Sequence, residues 1–184
     1  MAFRILTLLA VFMAVMTAAN AVRAEQSPRF AGAIPVRFQP DTHADYILVE
    51  KGKRRMTLYN SGRVLKRYKI SIGKGGEGPK VRQGDMRTPE GLYYIEGRNP
   101  DSRFHLSLKI SYPDEDDVAR ADALGYDPGG DIVIHGVRNG VSPYKHYKYR
   151  YPNDWTEGCI AVTNAEMEEI WRMVPDGTMI AIRP

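Results

Sequence analysis

Two short segments carry the residue types best suited to chemistry: Ile134-His135-Gly136 and Thr156-Glu157-Gly158-Cys159-Ile160. In each, a reactive side chain adjoins an apolar run and a glycine. A thiolate is a strong nucleophile, and a neighbouring imidazole can take the thiol's proton or hold it as an ion pair. Such a pair transfers acyl groups through a thioester, with backbone N–H groups around the cysteine placed to hold the oxyanion. Gly158 would let another backbone, or a substrate, approach the sulfur closely. Cys159 is the single cysteine among 184 residues, so no intrachain disulfide can form. Taken alone, a lone cysteine also reads as a small buried hydrophobe. An imidazole paired with it would bring the thiol below its free pKa of ~8.5, whereas the anion at Glu157 would raise it.

The elements that must position this pair are legible as patterns. His135 ends the compact apolar run Asp131-Ile132-Val133-Ile134, which reads as a buried strand. A base has to be held to a fraction of an ångström, and a packed strand does this better than a loop. That favours His135 over His146, which sits in a tyrosine-rich loop. His105 reads as a structural strand residue and His43 as a solvated one in the lead-in. Thr163 to Val174 is the clearest helix: Thr163 and Glu166 make a capping box. Met167, Ile170, Trp171 and Val174 form one apolar face, and Pro175 and Gly177 stop it.

Further strands are expected at Tyr46–Val49, around Met56 and Leu58, from Val64 to Ile72 after an Asn60-Ser61-Gly62 turn, at Leu92–Glu96, Phe104–Ile110 and Met179–Ile182. Gly73 to Gly84 reads as a flexible loop; it lacks the Gly-Lys-Ser/Thr ending of a phosphate loop, and no helix pattern follows. Asp114 to Leu124 reads as a short helix whose acids Asp114 to Asp117 form a solvated N-terminus. The sum is a β-rich α+β domain with a few short helices.

The first 24 residues differ from the rest. Arg4 precedes an apolar stretch from Ile5 to Ala19, and small residues end at Ala24. This is the secretory signal pattern, and the apolar run is shorter than the ~20 residues that span a bilayer. Cleavage after Ala24 removes two arginines and no acid, lowering the formal charge from +4 to +2. The expected organisation is a signal peptide at 1–24, a linker or irregular lead-in at 25–43, and a catalytic domain at 44–184. The expected location is periplasmic or otherwise extracytoplasmic, with no stable membrane span after cleavage. The basic residues are scattered, which argues against nucleic-acid binding.

Three motifs in order along the chain then give a resemblance: Thr88-Pro89-Glu90-Gly91 followed by Tyr93 and Ile95, Ile134-His135-Gly136, and Gly158-Cys159-Ile160 with Asn164 five residues on. They resemble those of the L,D-transpeptidase family, the YkuD catalytic domain. The resemblance implies a sandwich-like β-rich fold, a nucleophile at Cys159, a general base at His135 and no metal or cofactor. It implies action on peptidoglycan tetrapeptide stems, forming an acyl-enzyme at the diaminopimelate carbonyl and releasing D-Ala. The acceptor would be an amine of another stem or of an envelope lipoprotein. With water as acceptor, the same thioester serves a carboxypeptidase, or an amidase that releases bound lipoprotein.

Two departures stand out. Relatives of this family usually carry Ser/Thr-His-Gly-Cys-x-Arg, and here Glu157 replaces the second His and Ala161 the Arg. If that arginine grips a substrate carboxylate, another cation must replace it, with Arg138, Lys148 and Arg150 as candidates. Substrate contacts are expected from Gly136, Arg138, Tyr144, His146, Trp155, Glu157 and Asn164. The stretch Tyr144 to Tyr151 suits either a substrate-covering loop or an exposed loop with packing tyrosines. A zinc site from His135, His146 and Cys159 has no close ligand pair to recommend it. A non-catalytic peptidoglycan-binding module is the rival from another class; it leaves the joint presence of His135 and Cys159 unexplained.

Overall fold

The computed structural model describes residues 42–141 and 153–184. The expected signal segment and nearly all of the lead-in lie outside the described residues, as do Tyr144, His146, Lys148 and Arg150. Among the described residues, no helix is long and apolar enough to cross a membrane.

The strands are β1 (Tyr46–Glu50), β2 (Arg55–Asn60), β3 (Arg63–Lys69), β4 (Gly91–Asn99), β5 (Ser107–Ile110), β6 (Val133–His135), β7 (Ile160–Ala161) and β8 (Met179–Arg183). Helix α1 is Glu115–Asp122 and α2 is Asn164–Met173. The sheet order is β3-β2-β1-β8-β4-β5-β6-β7. β1 pairs with β8, and β6 with β7, in parallel; the other neighbours are antiparallel. The long strand β4 serves two halves. Its residues Gly91 to Tyr94 pair with β8, and after an irregularity between Ile95 and Gly97 it continues on β5. Beyond β3, Ser71 exchanges two backbone hydrogen bonds with Ala161 of β7, at 2.9 and 2.8 Å. The sheet therefore curls until its two ends meet. The β-rich, sandwich-like α+β expectation holds.

Alternation places Ile47, Val49, Met56, Leu58, Ile180 and Ile182 inside this curl, all at 2% exposure or less. Met167, Ile170, Met173 and Val174 of the α2 segment close the core, with Trp171 packed half-buried at its margin. The capping box at Thr163 forms as the sequence indicates: Thr163 Oγ1 accepts from the Glu166 N–H, and the Glu166 carboxylate accepts from the Thr163 N–H.

Three local expectations need correction. The strand expected from Phe104 begins at Ser107; His105 lies in the preceding turn at φ 72, with its ring 3.1 Å from the Glu168 carboxylate. The acids opening α1 are not all solvated. Asp117 is 3% exposed, accepting from Tyr93 Oη at 2.8 Å and Arg120 at 2.8 Å. Burial raises its carboxyl pKa against the lowering effect of those two donors. The glycine-rich stretch is not a loose loop. The Lys51 ammonium, 3% exposed, donates to the Gly78 carbonyl at 2.6 Å, the Thr88 carbonyl at 2.8 Å and Glu90 at 2.8 Å. Asp85 accepts from Lys80 Nζ and from the backbone N–H groups of Val81, Arg82 and Arg87.

Candidate active site

Parallel pairing of β6 with β7 decides the geometry. Ile134 pairs with Ile160 and His135 with Ala161. Ile134 and Ile160 point into the core with no exposure. By strand alternation His135 and Cys159 then face the other side, as diagonal neighbours on adjacent strands. A strand spacing of about 4.8 Å and a rise of about 3.3 Å per residue put their Cα atoms about 8 Å apart, within reach of the two side chains. Both line one cavity of about 860 Å³, together with Arg138, Trp155 and Glu157.

The turn before Cys159 is built tightly. Thr156 Oγ1 donates to the Cys159 carbonyl at 2.6 Å and accepts from the Gly158 N–H at 3.2 Å. Gly158 has φ 132, and a Cβ there would lie 2.8 Å from the Arg87 carbonyl oxygen. The close approach expected at Gly158 is thus made by the chain's own backbone. The Arg87 segment is held in turn by Thr88, fully buried, whose Oγ1 accepts from the Gly73 N–H at 2.9 Å.

His135 is 3% exposed and its Nδ1 lies 2.6 Å from the Gly136 carbonyl. A carbonyl only accepts, so Nδ1 carries the proton and Nε2 is the acceptor nitrogen of the neutral ring. Phe104 and Trp155 fix the ring from two sides, at centroid distances of 4.6 and 5.6 Å. Burial lowers the His135 pKa from 6.5, partly offset by the Gly136 bond. Burial raises the Cys159 pKa from 9.0; the Val133 backbone bond and Lys80 oppose this, and the charges of Asp131 and Glu157 add to it. The expectation of a thiol acidified by its histidine is therefore corrected. Both shifts favour a neutral thiol beside a neutral imidazole, and the thiol itself donates to the Asp131 carbonyl at 3.6 Å. This arrangement suits proton transfer to Nε2 during attack rather than a standing ion pair.

Residues 44–182 match the family model described as the L,D-transpeptidase catalytic domain, YkuD. The chain belongs to this family. It is 33% identical over 135 residues to YafK of Escherichia coli (strain K12), named as a candidate L,D-transpeptidase, covering 70% of the chain and 46% of YafK. It is 29% identical over 154 residues to YkuD of Bacillus subtilis (strain 168), named in the same way, covering 81% and 72%. The fold is similar to the helical cell shape determining protein Pgp2 of Campylobacter jejuni. The TM-score there is 0.56 at 24% identity, covering 78% of this chain and 48% of that one. An L,D-transpeptidase of Xylanimonas cellulosilytica gives 0.50 at 18% identity, covering 77% and 61%. The chain thus spans about half the length of YafK and of Pgp2.

Within this L,D-transpeptidase domain, the other residues singled out from sequence divide into two groups. Arg138, Trp155 and Glu157 are cavity wall. Gly136 and Asn164 stand behind it: Asn164 Oδ1 accepts from the Val137 N–H at 2.7 Å, and a Cβ on Gly136 would meet that oxygen at 2.6 Å. They shape the loop after His135. Tyr144 and His146 lie outside the described residues. Sequence reasoning missed Arg103, Phe104, Asp131 and Thr156. Of these only Thr156 carried a local signal, two residues before the glycine that its hydroxyl serves. Among the described residues no cluster of three or more metal-ligating side chains occurs.

Proposed function

We propose that this chain is a peptidoglycan L,D-transpeptidase working through a thioester on Cys159. The observation that carries the reading is the placement of Cys159 and His135 as facing diagonal neighbours in one cavity, with Nε2 the ring's accepting nitrogen. His135 Nε2 takes the thiol proton as sulfur attacks the carbonyl of the third residue of a tetrapeptide stem. The C–N bond to D-Ala breaks, and the imidazolium returns the proton to the leaving amine. An acceptor amine from another stem, or from an envelope lipoprotein, then attacks the thioester and frees the thiol. Gly158 serves the oxyanion through backbone at the nucleophile.

The rest of the reading follows. Residues 1–24 act as a signal peptide, 25–43 as a lead-in and 44–184 as the catalytic domain, and the mature protein works outside the cytoplasm. A hydrolytic outcome, with water as acceptor, is the second reading. It is favoured by Ala161 and Glu157 standing where relatives carry Arg and His. Incubating the mature protein with purified muropeptides and weighing the products tests both. Dimers lacking one D-Ala mean transfer, and shortened monomers mean hydrolysis. Cys159→Ala should lower either activity by at least about 10³-fold while the fold melts as before. Activity near wild type in that variant overturns the thioester.

A further inference from the structure

We propose that Arg103 and Arg138 form a carboxylate clamp for the leaving residue, selecting donors that end in a free carboxylate one residue beyond the scissile bond. The inference rests on the roles of Cys159 and His135 just proposed. Those roles give the cavity a direction. The acyl carbon sits at the sulfur, and the group that receives the proton from Nε2 sits at the imidazole, so the leaving residue lies at the His135 end.

That end is cationic. Arg138 follows His135 by three residues, Arg103 adjoins Phe104 whose ring contacts the imidazole, and both arginines are exposed wall of the cavity. Their loops are bound into one framework by Asn139. Its N–H donates to the Arg103 carbonyl at 2.9 Å, its Nδ2 to the Ser102 carbonyl at 3.0 Å, and its Oδ1 accepts from the His105 N–H at 3.0 Å. The Gly136 N–H donates to the Phe104 carbonyl at 3.0 Å, adding a fourth bond. Two guanidiniums are therefore carried by a single laced support.

Neither is held by another side chain among the described residues. Arg54, Arg55, Arg98 and Arg120 each hold a carboxylate. Arg103 and Arg138 form no ion pair among the described residues, although Asp101 lines the same cavity. A guanidinium fork matches a carboxylate bidentately. The position where relatives carry their motif arginine is Ala161, 4% exposed and paired with His135 in the sheet. A long cation cannot be supplied from there, and the exposed pair beyond the ring supplies it instead. At the opposite end, Asp131 and Glu157 repel a carboxylate from the sulfur, which fixes the substrate's polarity.

Binding to Cys159→Ala protein, measured by calorimetry, tests this without turnover. The probes are the tetrapeptide L-Ala-γ-D-Glu-meso-diaminopimelyl-D-Ala and the same peptide ending in a carboxamide. The free acid should bind about 10- to 100-fold tighter, the range of a charge-assisted pair. Adding Arg103→Gln and Arg138→Gln should bring the two peptides within about twofold, with each single substitution intermediate. Both residues are exposed, and circular dichroism verifies that the variants fold. Equal affinities in the parent, no binding of either peptide, or a preference that survives loss of both arginines overturns the clamp. If the preference appears as expected but the wild-type protein neither releases D-Ala nor forms dimers, the clamp stands and the acyl-transfer reading falls.

Discussion

The glycine-rich segment from Gly73 to Gly91 and the cavity rim hold similar polar residues in opposite states. In and around the segment the buried charges are spent. Lys51 has three acceptors, Lys80 has two, and Asp85 accepts from an ammonium and three backbone amides. At the rim, Arg103 and Arg138 stand exposed and outside the ion pairs of the described residues, and His135 keeps one ring nitrogen as an acceptor. Saturated polar groups buried in a dry setting define a shape. Polar groups left facing a cavity are available to something that enters it. The two regions meet where the Lys74 N–H donates to the Thr156 carbonyl at 3.0 Å and where the Arg87 carbonyl packs against Gly158. The saturated region is the floor on which the nucleophile's turn rests.

The comparison breaks most visibly at Lys51. Lys51→Met would leave Glu90 and two carbonyls without their donor in a setting where the ammonium is 4% and the carboxylate 17% exposed. Removing one partner of a buried pair leaves an uncompensated charge. The expected loss is about 3 kcal/mol of stability, read by denaturant unfolding, accompanied by loss of the turn that holds Cys159. A variant of wild-type stability would show that the segment is held by other means.

Asp85 sharpens the same point through pH. Burial alone would raise its pKa from 3.8, but Lys80 and the amides of Val81, Arg87 and Arg82 outweigh it and hold it at about 2. A folded pKa below the unfolded one means that the unfolded chain binds the proton more readily. The contribution is therefore present in full above about pH 4 and is lost as pH falls from there towards 2. A difference of nearly two units corresponds to about 2 kcal/mol. Asp85→Asn should cost about that much at pH 7 and nothing near pH 2, in unfolding curves taken across the range. A cost that is constant with pH would mean that the side chain acts through packing instead.

How much of this was legible in the sequence depends on distance along the chain. Helix α2 was readable because its cap and apolar face are local patterns, and Met173 alone joined the core outside the expected stripe. His135 was readable because the run before it is a strand, and Gly158 because its strain lies beside the cysteine. The firmness of the glycine-rich segment was not readable, since Lys51 acts across 27 to 39 residues. Arg103 was invisible for a similar reason: its loop is tied to that of Arg138 by Asn139, 37 residues from Ser102, and by the Gly136 N–H on the Phe104 carbonyl. The direction of the thiol's shift also depended on fold. Proximity to histidine argues for acidification, and burial between two strands reverses it.

Glu157 offers the finest adjustment of the rim. It is exposed on the cavity wall, two residues before the nucleophile, and its charge helps to hold the thiol's pKa up, after the larger effect of burial. A carboxylate at the surface acts through water, so its influence on the sulfur is small and screened by salt. Glu157→Gln removes the charge with little change of shape. The thiolate then becomes easier to form, and alkylation of Cys159 by iodoacetamide at pH 7.5 should rise about two- to threefold at low ionic strength. In 1 M salt, where the Debye length falls to about 3 Å, the two proteins should converge. Asp131 supplies the control, because its charge raises the same pKa from the chain just before β6. Asp131→Asn should accelerate alkylation in the same direction, and the double variant should go further than either. Alkylation that slows in Glu157→Gln, or an increase that persists in high salt, would mean that Glu157 acts on Cys159 through contact and not through its charge.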